Sequence, residues 1–314
     1  MKGSDTLGTR INTYLASRRQ AGFALYIDGQ QLKRFAAFAE KVSHRGPLTV
    51  KLAMRWATDS RGKRPLTAAR RIEVLRPFYR YWQQFDPTTE IPPRWLCGRA
   101  HRRLTPHIFA DHEIRSLLLA CRRLYPVGGL RGASCAAIFG LIAATGLRIS
   151  EATGLTRSDL DLERLLLHIR RAKFGKERWV PIHASVAQAL RQYAQRRDRD
   201  PLAAAVEAFF VFDYGRPAST RSVEYAFKLL RTALQWRSRG GHPAPRIYDL
   251  RHSFICHRLE DWYAQGLDID RSILALSTYV GHVKVTDTYW YVTATPELMA
   301  IAAQRFIRGT EGVP

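Results

Sequence analysis

Five residues between positions 148 and 291 have the side chains needed to cut a phosphodiester without a metal ion. They are Arg148, Lys173, Arg251, His282 and Tyr291. Two guanidinium groups can hold the non-bridging oxygens of a phosphate, and a lysine can protonate a departing sugar oxygen. A tyrosine can hold the broken end as a covalent ester. These residue types therefore predict strand transfer at a phosphodiester.

Both arginines lie next to predicted helix starts, where the surrounding fold could fix them. Residues 144–151 end a buried helix, turn at Gly146 and begin again near Arg148, and residues 248–254 place Arg251 where another helix opens. A third cluster, residues 279–282, ends nine positions before the tyrosine. An arginine held by core packing is preorganised, which is what stabilisation of a charged transition state requires.

Positive charge runs through the whole chain. The 314 residues carry a formal net charge of +23, with 19 basic against 7 acidic residues in 1–100 and 31 against 20 in 101–314. Solubility needs far less charge than this, so the composition predicts a polyanionic partner. Double-stranded DNA fits better than a membrane surface, because no basic amphipathic anchor stands out.

The sequence predicts no membrane segment, disulfide framework, metal or cofactor. No apolar run approaches the roughly 20 residues of a membrane span, and the first residues lack the apolar core of a secretory signal. The four cysteines lack Cys-x-x-Cys spacing and are expected to be reduced thiols. His252, Cys256 and His257 lack a fourth ligand at zinc spacing. We expect a cytoplasmic, nucleoid-associated protein.

The first hundred residues have helical periodicity. Apolar residues recur at intervals of three and four, most clearly between Leu66 and Trp82. Such a helix can pack on one side and contact DNA phosphates on the other, although a merely solvated arginine face is equally compatible with the pattern. The arginines concerned are Arg70, Arg71, Arg76 and Arg80.

A segment rich in proline and basic residues then predicts a linker, with a domain boundary near residue 100. Beyond it, helices are predicted from Asp111 and from Ser134 to Thr145, the second after a loop at 128–132. A β-hairpin is predicted from residues 165–169 and 178–182, and a short strand from 209–212. The expected architecture is mainly α with a small β-sheet. It divides into a helical domain with linker (1–100) and a mixed α/β domain with a C-terminal tail helix (101–314).

These clusters, in this order and joined by a lysine on a hairpin, resemble the tyrosine recombinase family of phage-integrase and Xer type. The motifs cover about residues 105–295, and the first hundred residues match the family's core-binding domain in size and placement only. The resemblance implies a core-binding domain and a catalytic domain that close on DNA as a two-domain clamp. It also implies a site-specific recombinase or integrase that cuts and rejoins DNA through a 3′-phosphotyrosyl intermediate, without metal or ATP.

The resemblance assigns the catalytic positions to two arginines, a hairpin lysine, a histidine after a glycine and a nucleophilic tyrosine. In this chain they are, in that order, Arg148, Arg251, Lys173, His282 and Tyr291. Glu151 matches the acidic residue that commonly supports the first arginine.

Two of these positions have neighbours that compete with them. Lys176 rivals Lys173 on the same hairpin, although a general acid must occupy one fixed place near the leaving oxygen. Tyr289 rivals Tyr291, and on a helix their side chains would lie about 200° apart, so only one could face a phosphate. Family spacing favours Lys173 and Tyr291.

One position departs from the family pattern. Three residues before the second arginine the family usually has a histidine, and this chain has Tyr248. A phenol with an ordinary pKa near 10 is a poor base, but it can donate a hydrogen bond to a phosphate oxygen, so Tyr248 stays among the catalytic candidates. The group that deprotonates Tyr291 stays open between His252 and His242.

The resemblance also implies an assembly. Family members hold two recombination sites with four protomers, which predicts a homotetramer on DNA, with partner recombinases as a further possibility. The apolar tail from Leu298 to Phe306 is expected to pack on a neighbouring protomer, with packing on its own domain as the alternative. Residues 287–291 are similar to those of transposon- and integron-like members, which predicts a mobile-element role.

Two alternatives to a site-specific recombinase stay open. They are a type IB topoisomerase-like enzyme and a catalytically inactive DNA-binding accessory protein.

Overall fold

The computed structural model describes residues 6–59, 65–100, 103–170, 177–293, 300 and 303. The chain divides into two compact units, Met1–Arg103 and Leu104–Pro314, each with its own apolar core. No helix within the described ranges is long and apolar enough to span a bilayer. The DNA-binding and catalytic roles expected for the two units stay predictions.

The N-terminal unit is helical throughout its described elements. These are α1 (Leu7–Gln20), α2 (Tyr26–Lys41), α3 (Val50–Thr58) and α4 (Pro65–Trp82). Apolar residues at intervals of three and four bury Phe35, Trp56, Phe78 and Tyr79 in a shared aromatic core. The rings of Phe35 and Trp56 meet edge to face with centroids 5.3 Å apart, a favourable geometry for aromatic pairs.

The C-terminal unit surrounds one mostly buried helix with further helices and two small antiparallel sheets. Its helices are α5 (Asp111–Ala120), α6 (Leu130–Thr145), α7 (Ile149–Thr153), α8 (Ala184–Arg197), α9 (Pro201–Ala204), α10 (Thr220–Ala233), α11 (Tyr248–Gln265), α12 (Ile269–Val280) and α13 (Thr286–Tyr289). Its strands are β1 (Leu160–Asp161), β2 (Leu166–Ile169), β3 (Arg178–Pro181), β4 (Val211–Phe212) and β5 (Arg216–Pro217). The predicted fold class, mainly α with a small β-sheet, is confirmed.

Helix α6 forms the centre of this unit and packs against α5, α8 and α11. It begins at Leu130, so the loop predicted at 128–132 is wrong at its C-terminal end. Gly132 lies inside the helix, where a Cβ would come within 2.6 Å of the Cys121 carbonyl oxygen. Close approach of two backbones, rather than a turn, therefore explains this glycine.

Strands β2 and β3 form the predicted hairpin. They pair antiparallel, with Leu167 opposite Val180 and Ile169 opposite Arg178. Strand β1, which the sequence did not predict, extends the sheet next to β2. The connecting residues 171–176 lie outside the described part of the chain.

A buried tyrosine hydroxyl connects α8 to α6 and β4. Tyr193 Oη accepts a hydrogen bond from the Val211 N–H at 3.0 Å and lies 2.9 Å from Ser134 Oγ. Tyr193→Phe leaves that buried N–H without its acceptor, so we expect the free energy of unfolding to fall by about 1–3 kcal/mol in urea unfolding. Tyr214→Phe, at a residue 78% exposed, is the control and should stay within about 0.5 kcal/mol of wild type. Equal losses in both variants would contradict the role given to the Tyr193 hydroxyl.

Candidate active site

Three consecutive backbone carbonyls at the C-terminal end of α12 each accept a hydrogen bond from a different arginine. Arg178 Nε donates to the carbonyl of residue 279 at 2.9 Å, and Arg251 Nη2 to that of residue 280 at 2.9 Å. Arg148 Nη2 donates to the carbonyl of residue 281 at 2.8 Å. The last carbonyls of a helix lack partners within it and carry partial negative charge. These three carbonyls, called here the α12 terminus, therefore gather guanidinium groups from distant parts of the chain.

Gly281 permits this approach. Its φ of 70° lies in the left-handed region that favours glycine after a helix. A Cβ there would also lie 2.8 Å from Arg178 Cζ. The next residue, His282, donates its backbone N–H to the Ser277 carbonyl at 2.9 Å, and its Nδ1 lies 2.7 Å from Thr288 Oγ1. One glycine therefore serves both the turn that orients His282 and the packing of an arginine.

Arg148 immediately precedes α7, as the sequence predicted. Its backbone N–H donates to one oxygen of Glu151 at 3.0 Å and its Nη1 to the other at 2.8 Å. The Arg148 side chain is 19% exposed, whereas the Glu151 side chain is buried. Glu151 therefore holds both the backbone and the side chain of Arg148.

Arg178, which the sequence analysis did not select, contacts the same carboxylate. Its Nη1 and Nη2 donate to the two oxygens of Glu151 at 3.1 and 2.9 Å. Burial acts to raise the pKa of the Glu151 carboxyl, but Arg178 and then Arg148 outweigh this effect and hold that pKa below its usual range. In the sequence, Arg178 is marked only by its position at the start of a predicted strand. A single sequence does not show that an arginine at such a position contacts Glu151.

Arg251 is completely buried in the first turn of α11. Its Nη1 donates to the Gly146 carbonyl at 2.6 Å, and its Nη2 binds the α12 terminus. Within the described ranges its Nε–H has no hydrogen-bond partner. Burial, followed by the charge of Arg148, lowers the pKa of Arg251 to about 10, so the group stays cationic at neutral pH. A buried cation without a carboxylate of its own favours the binding of an anion.

The hydroxyl of Tyr291 lies 2.6 Å from Nδ1 of His252. Tyr291 is only 3% exposed and lies in a 3₁₀ turn, Trp290–Thr293, that follows α13. Burial, followed by the positive charges of Arg246 and Arg251, lowers the pKa of His252 to about 3. The imidazole is therefore neutral at pH 7, and in the tautomer with its proton on Nε2 it can accept a hydrogen bond from the phenol.

Tyr289 lies in a different environment. It is 40% exposed, and its hydroxyl donates to Asp270 at 3.0 Å. The hydrogen bond with Asp270 raises the pKa of the Tyr289 phenol. Of the two tyrosines compared from sequence, Tyr291 is the one with its hydroxyl beside His252, and its phenol acts electrostatically on Arg251.

The residues considered as bases differ in their geometry. Tyr248 is 41% exposed, and its ring meets that of His252 edge to face with centroids 4.7 Å apart. The charge of His242 contributes to the lowered pKa of His252. His252 is the residue with a ring nitrogen at hydrogen-bond distance from Tyr291.

Other candidates lie outside what the structure describes. Lys173 and its rival Lys176 fall in the undescribed residues 171–176, and the tail after residue 293 is described only at 300 and 303. Among the described residues, no group of three or more His, Cys, Asp or Glu side chains could hold a metal ion.

The four arginines of α4 differ in their internal contacts. Arg71 donates to two backbone carbonyls at the C-terminal end of α3 at 2.7 and 2.8 Å, and Arg76 donates to a carbonyl of the following linker. Arg70 and Arg80 are exposed. The first pair therefore stabilises its own unit, whereas the second pair has the exposure that contact with a DNA backbone requires.

Comparison with known proteins places the chain in one family. The Phage integrase family pattern matches residues 108–297. The Sinorhizobium fredii (strain NBRC 101917 / NGR234) protein named "Putative integrase/recombinase y4rB" is 35% identical over 98% of this chain and 98% of its own length. Tyrosine recombinase XerC of Lacticaseibacillus casei (strain BL23) is 32% identical over 72% of this chain and 71% of its own length. The chain belongs to the phage integrase family.

Solved structures share the fold. The Tn1549 transposon integrase in complex with circular intermediate DNA has a TM-score of 0.68 at 18% identity, over 96% of this chain and 99% of that chain. XerH recombinase bound to a palindromic difH substrate has a TM-score of 0.63 at 15% identity, over 88% and 77% of the two chains. The resemblance to tyrosine recombinases drawn from sequence motifs is confirmed, and the family relationship identifies the chain as a site-specific recombinase enzyme.

The neutral state of His252 has a consequence for stability against pH. An ordinary histidine has a pKa of 6.5, whereas that of folded His252 is about 3. As the pH falls between these values, the unfolded chain binds a proton that the folded chain does not, so the stability present above pH 6.5 is lost toward pH 3. The loss is at most about 1.4 kcal/mol per pH unit.

His252→Asn removes this titration while keeping a polar group near Tyr291. We expect the free energy of unfolding of wild type to fall more steeply than that of the variant between pH 6.5 and 4, in urea titrations at each pH. His112→Asn, at an exposed histidine in α5, controls for the loss of a histidine. If the free energies of unfolding of wild type and His252→Asn change with pH in parallel, folding does not keep the His252 imidazole unprotonated.

Proposed function

We propose that the chain cuts and rejoins DNA at specific sites through a covalent bond between Tyr291 and a 3′ phosphate. The observation that carries this proposal is a tyrosine hydroxyl 2.6 Å from a neutral histidine, together with two arginines that are fixed by one helix end of the same unit. Two guanidinium groups supply the positive charge that a pentacoordinate phosphorus requires. A nucleophile, a proton acceptor and an anion site are thus all held by α11 and the elements packed against it.

In the proposed first step, the Tyr291 oxygen attacks a DNA phosphorus held by Arg148 and Arg251. The new O–P bond forms as the bond from phosphorus to the 5′ oxygen breaks. The phenolic proton passes to His252, and the departing 5′ oxygen takes a proton from Lys173. A 5′ hydroxyl from a partner strand then reverses the step and releases Tyr291. The phosphoester bond is conserved throughout, so no ATP is required.

His252 is the proton acceptor in this proposal. Burial is the main cause of the low pKa of His252, followed by the charges of Arg246 and Arg251, and the negative charge of a phosphate bound beside Arg251 would oppose those charges. DNA binding would therefore make His252 a stronger base at the moment it is needed. Tyr248 occupies the usual family histidine position and would donate a hydrogen bond to the phosphate.

His282 would donate a second hydrogen bond to the same phosphate. Its Nδ1 contact with Thr288 fixes the ring, and the ring plane lies within 9° of that of Tyr291. A histidine fixed through one nitrogen can present the other to a ligand. Glu151 would act indirectly, through the orientation of Arg148.

We further propose that both units bind duplex DNA, mainly through phosphate contacts. The high positive charge of both parts of the chain supports this, as do the solved DNA complexes of the Tn1549 integrase and XerH, whose folds are similar. In the N-terminal unit the exposed Arg70 and Arg80 would contact the backbone.

The proposed assembly is a tetramer that holds two sites, with the tail from Leu298 to Phe306 packed on a neighbour. The likeness to a λ integrase dimer bound to a core site supports assembly on DNA. The likeness to a transposon integrase supports a role in moving a mobile element, and such an enzyme would act on the nucleoid.

Covalent trapping tests the nucleophile. A nicked suicide substrate lets the 5′ fragment diffuse away, so wild type should accumulate a protein–DNA adduct that survives denaturing electrophoresis. We expect Tyr291→Phe to abolish the adduct and Tyr289→Phe, the matched control, to retain it. An adduct that persists in Tyr291→Phe would refute the assignment.

Two other outcomes separate the rival functions. A wild type that shifts DNA but forms no adduct would support an inactive accessory protein. An adduct and supercoil relaxation without exchange between two sites would support a topoisomerase-like enzyme.

The exposed arginines of α4 can be tested through salt dependence. We expect Arg70→Ala combined with Arg80→Ala to flatten the slope of log affinity against log salt by roughly 2, because two phosphate contacts are lost. Fluorescence anisotropy with a labelled duplex measures the slope. Arg71→Ala should leave the slope unchanged and lower the free energy of unfolding, since its guanidinium serves α3. An unchanged slope in the double variant would remove these residues from the DNA interface.

A further inference from the structure

Arg178 directs its guanidinium into the protein rather than toward a ligand. Its Nε donates to the carbonyl of residue 279, and its two Nη atoms donate to Glu151. The side chain is 12% exposed. Arg178 therefore does not have the geometry of a residue that contacts DNA.

The carboxylate of Glu151 is divided evenly between two arginines. Oε1 accepts from Arg148 Nη1 at 2.8 Å and from Arg178 Nη1 at 3.1 Å. Oε2 accepts from the Arg148 backbone N–H at 3.0 Å and from Arg178 Nη2 at 2.9 Å. The Glu151 side chain is 1% exposed, so solvent screens these charges only weakly.

This sharing determines how much positive charge Arg148 can offer. With Arg148 alone, Glu151 would form a neutral ion pair. With Arg178 added, the three groups carry a net charge of +1, and Arg148 is the more exposed of the two arginines, at 19% against 12%. A transition state with additional negative charge on phosphorus is stabilised by net charge at short range, and less so by a neutral pair.

We propose that Arg178 is a positioning residue that neutralises Glu151, so that Glu151 can orient Arg148 without cancelling its charge at the scissile phosphate. This inference rests on the proposed function, because it concerns the charge available to that phosphate. It goes beyond a structural role, in which Arg178 would only fasten the β2–β3 hairpin to the α12 terminus.

Charge rescue separates the two roles. The variants are Arg178→Gln, Glu151→Gln and the double variant, with Arg178→Lys as the conservative change. The readout is the single-turnover rate of adduct formation on the suicide substrate at saturating enzyme, which keeps differences in DNA affinity out of the rate. Arg170→Gln is the matched control, because it removes the same charge from an arginine of the same hairpin that is 49% exposed and belongs to the Asp159 ion pair.

We expect Arg178→Gln to slow adduct formation roughly 10- to 100-fold, less than the 100- to 1000-fold typical for loss of a direct donor. The double variant should regain about 10-fold or more over Arg178→Gln, because a neutral amide at 151 no longer cancels Arg148. Arg178→Lys should retain more activity than Arg178→Gln, because it keeps the charge.

The pH profile gives a second readout that a structural role would not move. In Arg178→Gln, burial still raises the pKa of the Glu151 carboxyl while Arg148 alone opposes it, so this carboxyl takes up a proton at a higher pH than in wild type. The protonated carboxyl no longer cancels Arg148, so the rate relative to wild type should rise as the pH is lowered toward about 5. If Arg178→Gln fails to fold, Glu151→Gln and Arg178→Lys still test the inference. In both variants, adduct formation should be slowed less than 10-fold.

Several results would overturn the inference. The first is a double variant that forms the adduct as slowly as Arg178→Gln or more slowly, and the second is a rate of Arg178→Gln relative to wild type that does not change with pH. The third is an equal loss of rate in Arg170→Gln, and the fourth is a loss of rate above 10-fold in both Glu151→Gln and Arg178→Lys. Absence of any adduct with wild type would instead refute the proposed function, so the two failures can be told apart.

Discussion

The end of helix α12 is the feature on which the geometry of the site depends. Its last carbonyls must find donors outside the helix, and they find three arginines that arrive from α7, β3 and α11. The same turn directs the chain to His282 and, through α13, to Tyr291. A single set of backbone acceptors therefore helps to fix three positive charges in relation to the proposed nucleophile.

The free protein carries more positive than negative charge at this site. Glu151 is shared by two arginines, and Asp249 is engaged by Arg246 at 2.7 Å. Arg251 stays cationic with no exposed surface, and burial, followed by the nearby positive charges, lowers the pKa of His252 and keeps its imidazole neutral. Buried charge of this kind costs folding free energy. In the proposed function, an incoming phosphate would offset that cost, which would couple the binding of DNA to the relief of an unfavourable electrostatic state.

Much of this arrangement could be predicted from sequence, because the informative residues lie at helix ends with local signals. Gly146 before Arg148 and Gly281 before His282 mark turns, and both turns are present with positive φ. The hairpin followed from two β-rich runs. The start of α6 was missed because three glycines at 128–132 look like a loop, whereas Gly132 is required by a backbone that approaches from elsewhere. Arg178 was missed for a related reason, since its partners are 27 or about 100 positions away and a long-range ion pair has no local pattern.

The pairing of β2 with β3 has an evolutionary consequence. Side chains alternate along a strand, so a shift of one residue in this register would turn Arg178 to the opposite face and bring the exposed Trp179 toward Glu151. An insertion within either strand would therefore separate Arg178 from Glu151 and damage the electrostatics of the site. Across related chains, the spacing from Ile169 and Arg178 to their partners is then constrained by this ion pair as well as by the packing of the sheet.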